Sequence, residues 1–234
     1  MSIILNIDTS SQQANVTLCR DGVVMGKVIN GNQHEHASFL QPAIKQLLET
    51  HETPVHILDA IGVVNGPGSY TGLRVALASA KGLCYVLGKP LITINTLALL
   101  ARSALLETAK TGAVAGLLCP MIDARRMEVY TTIYRKDGSQ EMEVVSHILD
   151  ERNIEDLFPG SGSIVICGDG AKKVDLGTNS RKLLVDPTIQ SSAAHLIEPG
   201  YDLYIKGEFS DTMHYVPFYL KPPNITKPKD KALT

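Results

Sequence analysis

The four cysteines of this sequence, Cys19, Cys84, Cys119 and Cys167, stand far apart, and no two form a Cys-x-x-Cys pair. That spacing argues against a disulfide framework or a structural zinc site, and predicts buried, reduced thiols in a cytoplasmic protein. No stretch of about 20 apolar residues is present to span a membrane, and the first residues carry neither a basic region nor a long apolar core, so no signal peptide is expected. A dominant charge is missing as well. Twenty-two Lys and Arg stand against 24 Asp and Glu, a formal charge of −2 with a pI near 6.4. There is therefore no broad basic field, and strong non-specific nucleic-acid binding by the chain alone is not expected. The length, 234 residues, fits one large or two small domains and suffices to bury most of the apolar surface.

Against these absences stands VVNGPGSYTGLRVALASAKGL, Val63 to Leu83. It reads as a strand running into a glycine-rich turn, then a helix. Gly66 and Gly68 permit positive φ around Pro67, which fixes one φ. Ser69 or Thr71 offers a capping hydroxyl. The spacing of Leu73, Leu77, Cys84 and Leu87 predicts a helix to about Leu87, stopped by Gly88-Lys89-Pro90. Such a helix start suits an anion, but three specific phosphate or catalytic readings fail. A P-loop requires Gly-Lys-Ser/Thr where this sequence has Thr71-Gly72-Leu73. A dinucleotide fingerprint wants an acidic residue about 20 positions later, and no Asp or Glu occurs between Asp59 and Glu107. A nucleophile elbow requires Gly-x-Ser-x-Gly, whereas Ser69 follows Gly68 directly.

The same helix lacks bulk. Gly72, Ala76 and Ala80 are spaced by four, as are Ala78 and Gly82, which puts small residues on two faces. One such face can pack on the protein's own sheet. The second predicts close approach by another helix.

The chain also echoes itself. Ile3 to Asp8 reads as a buried strand ending in an aspartate, followed by Ala14 to Cys19, a turn at Asp21-Gly22, and a strand from Val23. Leu117 to Asp123 begins the same plan again, with Glu128 to Tyr134, a turn at Asp137-Gly138, and the strand-like Met142 to Val145. Ile164 to Cys167 then enters Gly168-Asp169-Gly170 much as Ile61 to Val64 enters Gly66-Pro67-Gly68. Helical spacing at Leu40, Ala43, Ile44, Leu47 and Leu48 predicts a helix from about His36 to Glu49, with Pro42 either in its first turn or kinking it. Another helix is expected over Thr96 to Lys110. The pattern predicts an α/β, duplicated two-lobed fold with mixed sheets flanked by helices, as in actin-like and sugar-kinase ATPases (the ASKHA, RNase H-like class). The expected division is a first lobe over 1–105, completed by 190–220, a smaller lobe over 106–189, and a mobile tail over 221–234 carrying Pro222-Pro223, Pro228 and several lysines.

Gly66-Pro67-Gly68-Ser69-Tyr70-Thr71-Gly72-Leu73-Arg74 with Ala80-Lys81-Gly82 resembles the hallmark of the TsaB family of bacterial tRNA threonylcarbamoyladenosine biosynthesis proteins. So do Ile7-Asp8-Thr9-Ser10, Ile122-Asp123-Ala124-Arg125-Arg126 with Glu128-Val129-Tyr130, and Pro217-Phe218-Tyr219-Leu220, in the same order along the whole chain. Tyr70 stands where phenylalanine is common in that family, and Lys221 where arginine is. The resemblance implies a two-lobed, non-catalytic protein without a cofactor, acting with its paralogue TsaD and the ATPase TsaE. Together they transfer a threonylcarbamoyl group to the adenosine beside the anticodon of tRNAs reading codons that begin with A, and tRNA is met only through the complex. It implies a TsaD-binding surface built from the first two helices, carried by Leu40, Ile44, Tyr70, Leu73, Ala76, Leu77, Ala78 and Ala80. An active actin-like ATPase or kinase and a self-dimer built on the same helix are the alternatives.

Two residue sets bear on ligand chemistry. His34-Glu35-His36 has only one residue between its imidazoles, which on a helix point well apart. A His-x-x-x-His or His-Glu-x-x-His pair is absent, and the two histidines are expected to be a solvated helix entrance without a metal. Asp8, Thr9 and Ser10 at the first strand end, with Asp123 as the counterpart in the second half, are candidates for residual nucleotide contact. The competing expectation is that both aspartates cap turns.

Overall fold

The computed structural model describes residues 1–111, 116–149, 163–174, 183–190 and 193–221. The first lobe is β1 (Ile3–Asp8), β2 (Ala14–Arg20), β3 (Val23–Asn30), α1 (His36–Thr50), β4 (Ala60–Gly66), α2 (Tyr70–Leu87) and β5 (Leu91–Asn95). Its sheet has the order β3-β2-β1-β4-β5. The β1–β2 and β2–β3 pairs are antiparallel, while β1–β4 and β4–β5 are parallel. Asp21 and Gly22 join β2 to β3 with φ of 49° and 76°, a left-handed pair that matches the twist of the strands it connects. β1 and β4 are buried along their full length, which accounts for their mostly apolar residues; Asn6, Asp8 and Asn65 are buried polar exceptions.

The second lobe is β6 (Leu117–Asp123), β7 (Glu128–Thr131), β8 (Tyr134–Arg135), β9 (Val145–Ile148), β10 (Ile164–Cys167) and β11 (Leu183–Asp186). Its sheet runs β9-β7-β6-β10-β11, with β8 also on β6. The antiparallel pairs are β6–β7 and β7–β9, and the parallel pairs β6–β10 and β10–β11. Strand for strand this is the order of the first sheet, so the sequence echo is a duplication of topology.

Two details depart from expectation. The strand expected over Glu128 to Tyr134 is interrupted between β7 and β8. The ladder gap lies between the pairs Met121↔Thr131 and Leu118↔Tyr134, where Pro120 has no N–H to donate. The next strand begins at Val145, not Met142, because Met142 is held by its carbonyl, which accepts from Thr132 Oγ1 at 2.5 Å.

Alternation along β1 divides the first lobe's core. Ile3, Leu5 and Ile7 pack under α1 and α2, with Leu40, Ala43, Ile44, Leu47, Ala76, Leu77 and Ala80. Ile4, on the opposite face, packs with Ile92, Ile94, Leu196 and Ile197. The last two belong to α4 (Ala193–Lys206), which returns from the second lobe to cover the first sheet. α3 (Thr96–Thr111) lies between the lobes: Leu99 joins the first sheet's core, whereas Leu97, Leu100, Ala101 and Ala104 pack with Leu118, Ile122, Val165 and Cys167. Pro42 lies inside α1 beyond its first turn, with its ring exposed. Of the expected tail, residues 222–234 lie outside the described residues.

Candidate functional site

α2 begins where Ser69 Oγ accepts from the Gly72 N–H at 3.3 Å, and it ends on Gly88 at φ 65°. The capping serine satisfies one orphan N–H of the first turn, and the left-handed glycine lets the Lys89 N–H donate to the Cys84 carbonyl at the other end. The two small-residue stripes have opposite fates. Gly72, Ala76 and Ala80 face inward, and Ala76 and Ala80 are fully buried. A Cβ on Gly72 would lie 1.9 Å from the Thr9 carbonyl oxygen, and one on Gly68 2.3 Å from that of Ser10. Ala78 and Gly82 face outward, and a Cβ on Gly82 would meet nothing within 4 Å. Beside them Tyr85 and Val86 are 75% and 80% exposed. α1 borders this stripe through Gln41 Nε2, which donates to Ser79 Oγ at 3.0 Å.

The residues expected to face a partner therefore divide. Ala78 is exposed and Tyr70 half-buried. Leu40, Ile44, Leu73, Ala76, Leu77 and Ala80 are all buried within the chain's own fold. Their side chains support the outward face from beneath, because the apolar period that identifies them is the period of the core stripe itself. Sequence spacing marked Ala78 and Gly82 as a second small face but missed Tyr85 and Val86 as the far part of the exposed face.

A cleft of about 500 Å³ lies between the lobes. Its walls come from the β1–β2 turn (Ser10, Ser11, Gln12), the Pro67 to Thr71 loop, the β6–β7 turn (Ile122 to Arg125), Asp169, and the segment Phe218 to Lys221. The four candidate ligand residues behave differently here. Ser10 and Asp123 line the cleft. Asp8 is buried, and its Oδ1 accepts from Ser10 N at 2.9 Å and Ser10 Oγ at 2.6 Å. Thr9 Oγ1 donates to the Gly72 carbonyl at 2.6 Å. Asp123 repeats the arrangement of Asp8: its Oδ1 accepts from Arg125 N at 2.6 Å and pairs with Lys173 Nζ at 2.6 Å. Both aspartates thus cap the turn that follows their strand, two residues on.

Asp169 accepts from the Asp123 N–H at 2.9 Å, and burial pushes its carboxyl above the usual range. Among the described residues no group of three or more His, Cys, Asp and Glu is placed to hold a metal ion. The expected solvated histidine entrance holds for His34 alone. His36 is buried, with Nε2 2.9 Å from the Ser11 carbonyl oxygen, and so fastens α1 to the β1–β2 turn.

The carboxy-terminal segment from Met213 to Lys221 forms a strap across this region, a role that the reading of the sequence did not assign. Lys81 Nζ donates to the carbonyls of Met213 and Tyr215 at 2.9 and 3.1 Å, and Asn65 Nδ2 to the Tyr215 hydroxyl. The Phe218 N–H donates to the Asn65 carbonyl at 2.9 Å. Arg74 lies 4.2 Å over the Tyr70 ring and donates from Nε to the Tyr219 hydroxyl at 3.0 Å, while the two tyrosine rings stand 5.0 Å apart. Lys221 then pairs with Glu128 of the second lobe. That ammonium, followed by the Ser146 hydroxyl, holds the Glu128 carboxyl below its usual range. The aromatic and basic residues of Pro217 to Lys221 were the available signal.

Fold and cleft together define a duplicated, two-lobed α/β protein of the actin-like class. Residues 23–167 match the family model described as TsaD: tRNA N6-adenosine threonylcarbamoyltransferase. The tRNA threonylcarbamoyladenosine biosynthesis protein TsaB of Escherichia coli (strain K12) is 31% identical over 233 residues, covering 93% of this chain and 94% of that protein. TsaB of Bacillus subtilis (strain 168) is 35% identical over 142 residues, 60% of this chain and 59% of that one. Among solved structures, YeaZ from Pseudomonas aeruginosa superposes with a TM-score of 0.77 at 26% identity, over 94% of this chain and all of the other. The chain belongs to the TsaB family, within the wider family that the TsaD model describes.

Proposed function

We propose that this chain is a non-catalytic scaffold subunit in threonylcarbamoylation of the adenosine beside the anticodon, docked on TsaD through the exposed side of α1 and α2 and acting with TsaE. The reading rests on the names of its relatives and on one structural observation, the outward stripe of Ala78 and Gly82 flanked by exposed Tyr85 and Val86. Small residues admit the backbone of a second helix, and exposed apolar side chains beside them supply area to bury. The non-catalytic part is supported by how the candidate ligand residues are used: Asp8 and Thr9 are turned into packing, and Asp123 is held by Lys173.

The test places arginine on each stripe. Ala78→Arg is expected to fold normally but not to co-elute with TsaD, since an arginine there separates the helices or buries an unpaired charge. Ala76→Arg is expected to unfold the protein, because Ala76 is fully buried. A folded Ala78→Arg variant that still co-elutes with TsaD and supports tRNA modification would show the docking face to be wrong. Loss of self-association alone would favour a homodimer on this face, and steady ATP turnover by the purified chain would favour an actin-like ATPase.

A further inference from the structure

The β6–β7 turn carries Arg125 and Arg126 side by side, with φ of 72° and 49°. Left-handed backbone is costly for residues with a Cβ, and long side chains are uncommon there; glycine or asparagine is the cheaper choice. Elsewhere left-handed backbone falls on Gly22, Gly88 and Gly138 and on the single residues Asp21 and Glu52; among the described residues, two long side chains adopt it in succession at this turn alone. Here the chain keeps two arginines, both exposed. Two long charged side chains on sparsely populated backbone point to use of those side chains.

The acidic side chains nearest the turn are already engaged. Asp123 is paired with Lys173, and Glu128 with Lys221. Asp169 is half enclosed beside them, accepts from a backbone N–H, and has Lys172 near. The guanidiniums of Arg125 and Arg126 make no hydrogen bond or ion pair with any described residue, leaving two fixed positive charges on a chain whose formal charge is −2. Arg125 lines the cleft together with Tyr70 and Thr71, the first residues of α2. Arg126 is exposed and does not line the cleft, so the two charges are not both enclosed by it. That arrangement suits an extended polyanion better than a small anion enclosed in the cleft.

We infer that Arg125 and Arg126 form a contact for phosphodiester groups of an RNA backbone. The inference rests on the tRNA-modification reading and adds to it the surface through which this chain itself touches the tRNA. Guanidiniums suit the task because they stay charged and present a planar fork to phosphate oxygens. Such contacts position the RNA without reading its sequence.

The experiment uses the chain assembled with TsaD and TsaE, and measures tRNA binding over a salt series for wild type, Arg125→Ala/Arg126→Ala, and Arg126→Gly. The double variant is expected to co-elute with TsaD as wild type does, to bind tRNA severalfold more weakly at low salt, and to reduce the slope of log K against log salt by about 1 to 2. Arg126→Gly is expected to weaken tRNA binding while raising the melting temperature, because it relieves the left-handed strain. That opposition separates a contact from a folding defect. Unchanged tRNA affinity and salt slope in the double variant would overturn the inference, as would loss of TsaD co-elution with tRNA binding intact. A parallel ATP titration separates the other source of phosphate: lost ATP affinity with unchanged tRNA affinity would also overturn it. A wild-type complex that neither retains nor modifies tRNA would instead defeat the functional reading on which the inference stands.

Discussion

Thr9 and Gly72 are in reciprocal contact: Thr9 Oγ1 donates to the Gly72 carbonyl at 2.6 Å, and a Cβ on Gly72 would come within 1.9 Å of the Thr9 carbonyl oxygen. The β1–β2 turn and the first turn of α2 are thereby locked together, with the Ser69 N–H donating to the Ser10 carbonyl at 2.7 Å beside them. This contact holds α2 by its amino-terminal end and fixes which of its faces reaches solvent.

Replacing Gly72 by alanine is expected to destabilise the protein by about 3 kcal/mol or more, since the obstructing atom is backbone and cannot rotate away. Gly82→Ala meets open space and is expected to stabilise by up to about 1 kcal/mol through helix propensity. Urea unfolding of the two variants checks the contrast; equal effects would mean that the inward and outward stripes have been misassigned.

The strap depends on Tyr219. Tyr219→Ala removes its ring contact with Tyr70 and its hydrogen bond from Arg74, and is expected to cost about 1 to 2 kcal/mol. Limited proteolysis after Met213 should accelerate in the same variant. Tyr219→Phe keeps the ring contact and should lose only the hydroxyl's share, about 1 kcal/mol. A Phe variant as labile as the Ala variant would show that the hydroxyl, not the ring, anchors the strap.

All four cysteines are free and buried. Burial pushes the Cys19 and Cys84 thiols up to about 11 and Cys119 to about 12, and raises Cys167 further. The native protein is therefore expected to resist a thiolate-directed reagent at pH 8, and all four thiols should react in denaturant. Rapid labelling of any one of them in the native state would contradict its burial.

Stability is expected to fall with acid through His195. Burial holds its imidazole below the ordinary range; the Glu107 carboxylate at 3.9 Å opposes that shift, while Lys110 and Arg102 reinforce it. Its Nδ1 is buried without a partner. The folded state thus favours the neutral ring, whereas the unfolded chain takes a proton near pH 6.5. The stability involved is present above about pH 6.5 and is lost as the pH falls through that value toward the folded pKa. Unfolding free energies between pH 7 and 5.5 should slope less in His195→Gln than in wild type, and identical slopes would remove His195 from the account.

Asp8→Asn preserves the acceptor that the Ser10 N–H and hydroxyl use, so the variant is expected to fold and to join TsaD as wild type does. Loss of tRNA modification in a folded, assembled Asp8→Asn complex would reveal a ligand role for the carboxylate that its burial conceals.

The sequence by itself determined the local structure and the repeat. Apolar spacing with Ser69 and Gly88 marked α2 between its caps, Asp21-Gly22 marked the first hairpin, and the recurrence of strand, aspartate and hairpin marked two lobes of like topology. These follow from short-range constraints: dihedral preference, capping and periodicity act over a few residues and are written in order along the chain. Periodicity also placed the two small stripes on different sides of α2. It could not say which side was out, because that depends on the Thr9 carbonyl, more than sixty positions earlier in the chain. The break between β7 and β8 depends in the same way on Pro120 in the neighbouring strand. Only the tertiary structure turned Asp8 into its own turn while leaving Asp123 at the cleft, sent α4 back onto the first sheet, and drew Tyr219 and Lys221 across to Arg74 and Glu128. Each is a contact between residues remote in sequence, decided by which surfaces remain to be buried once the local elements have formed.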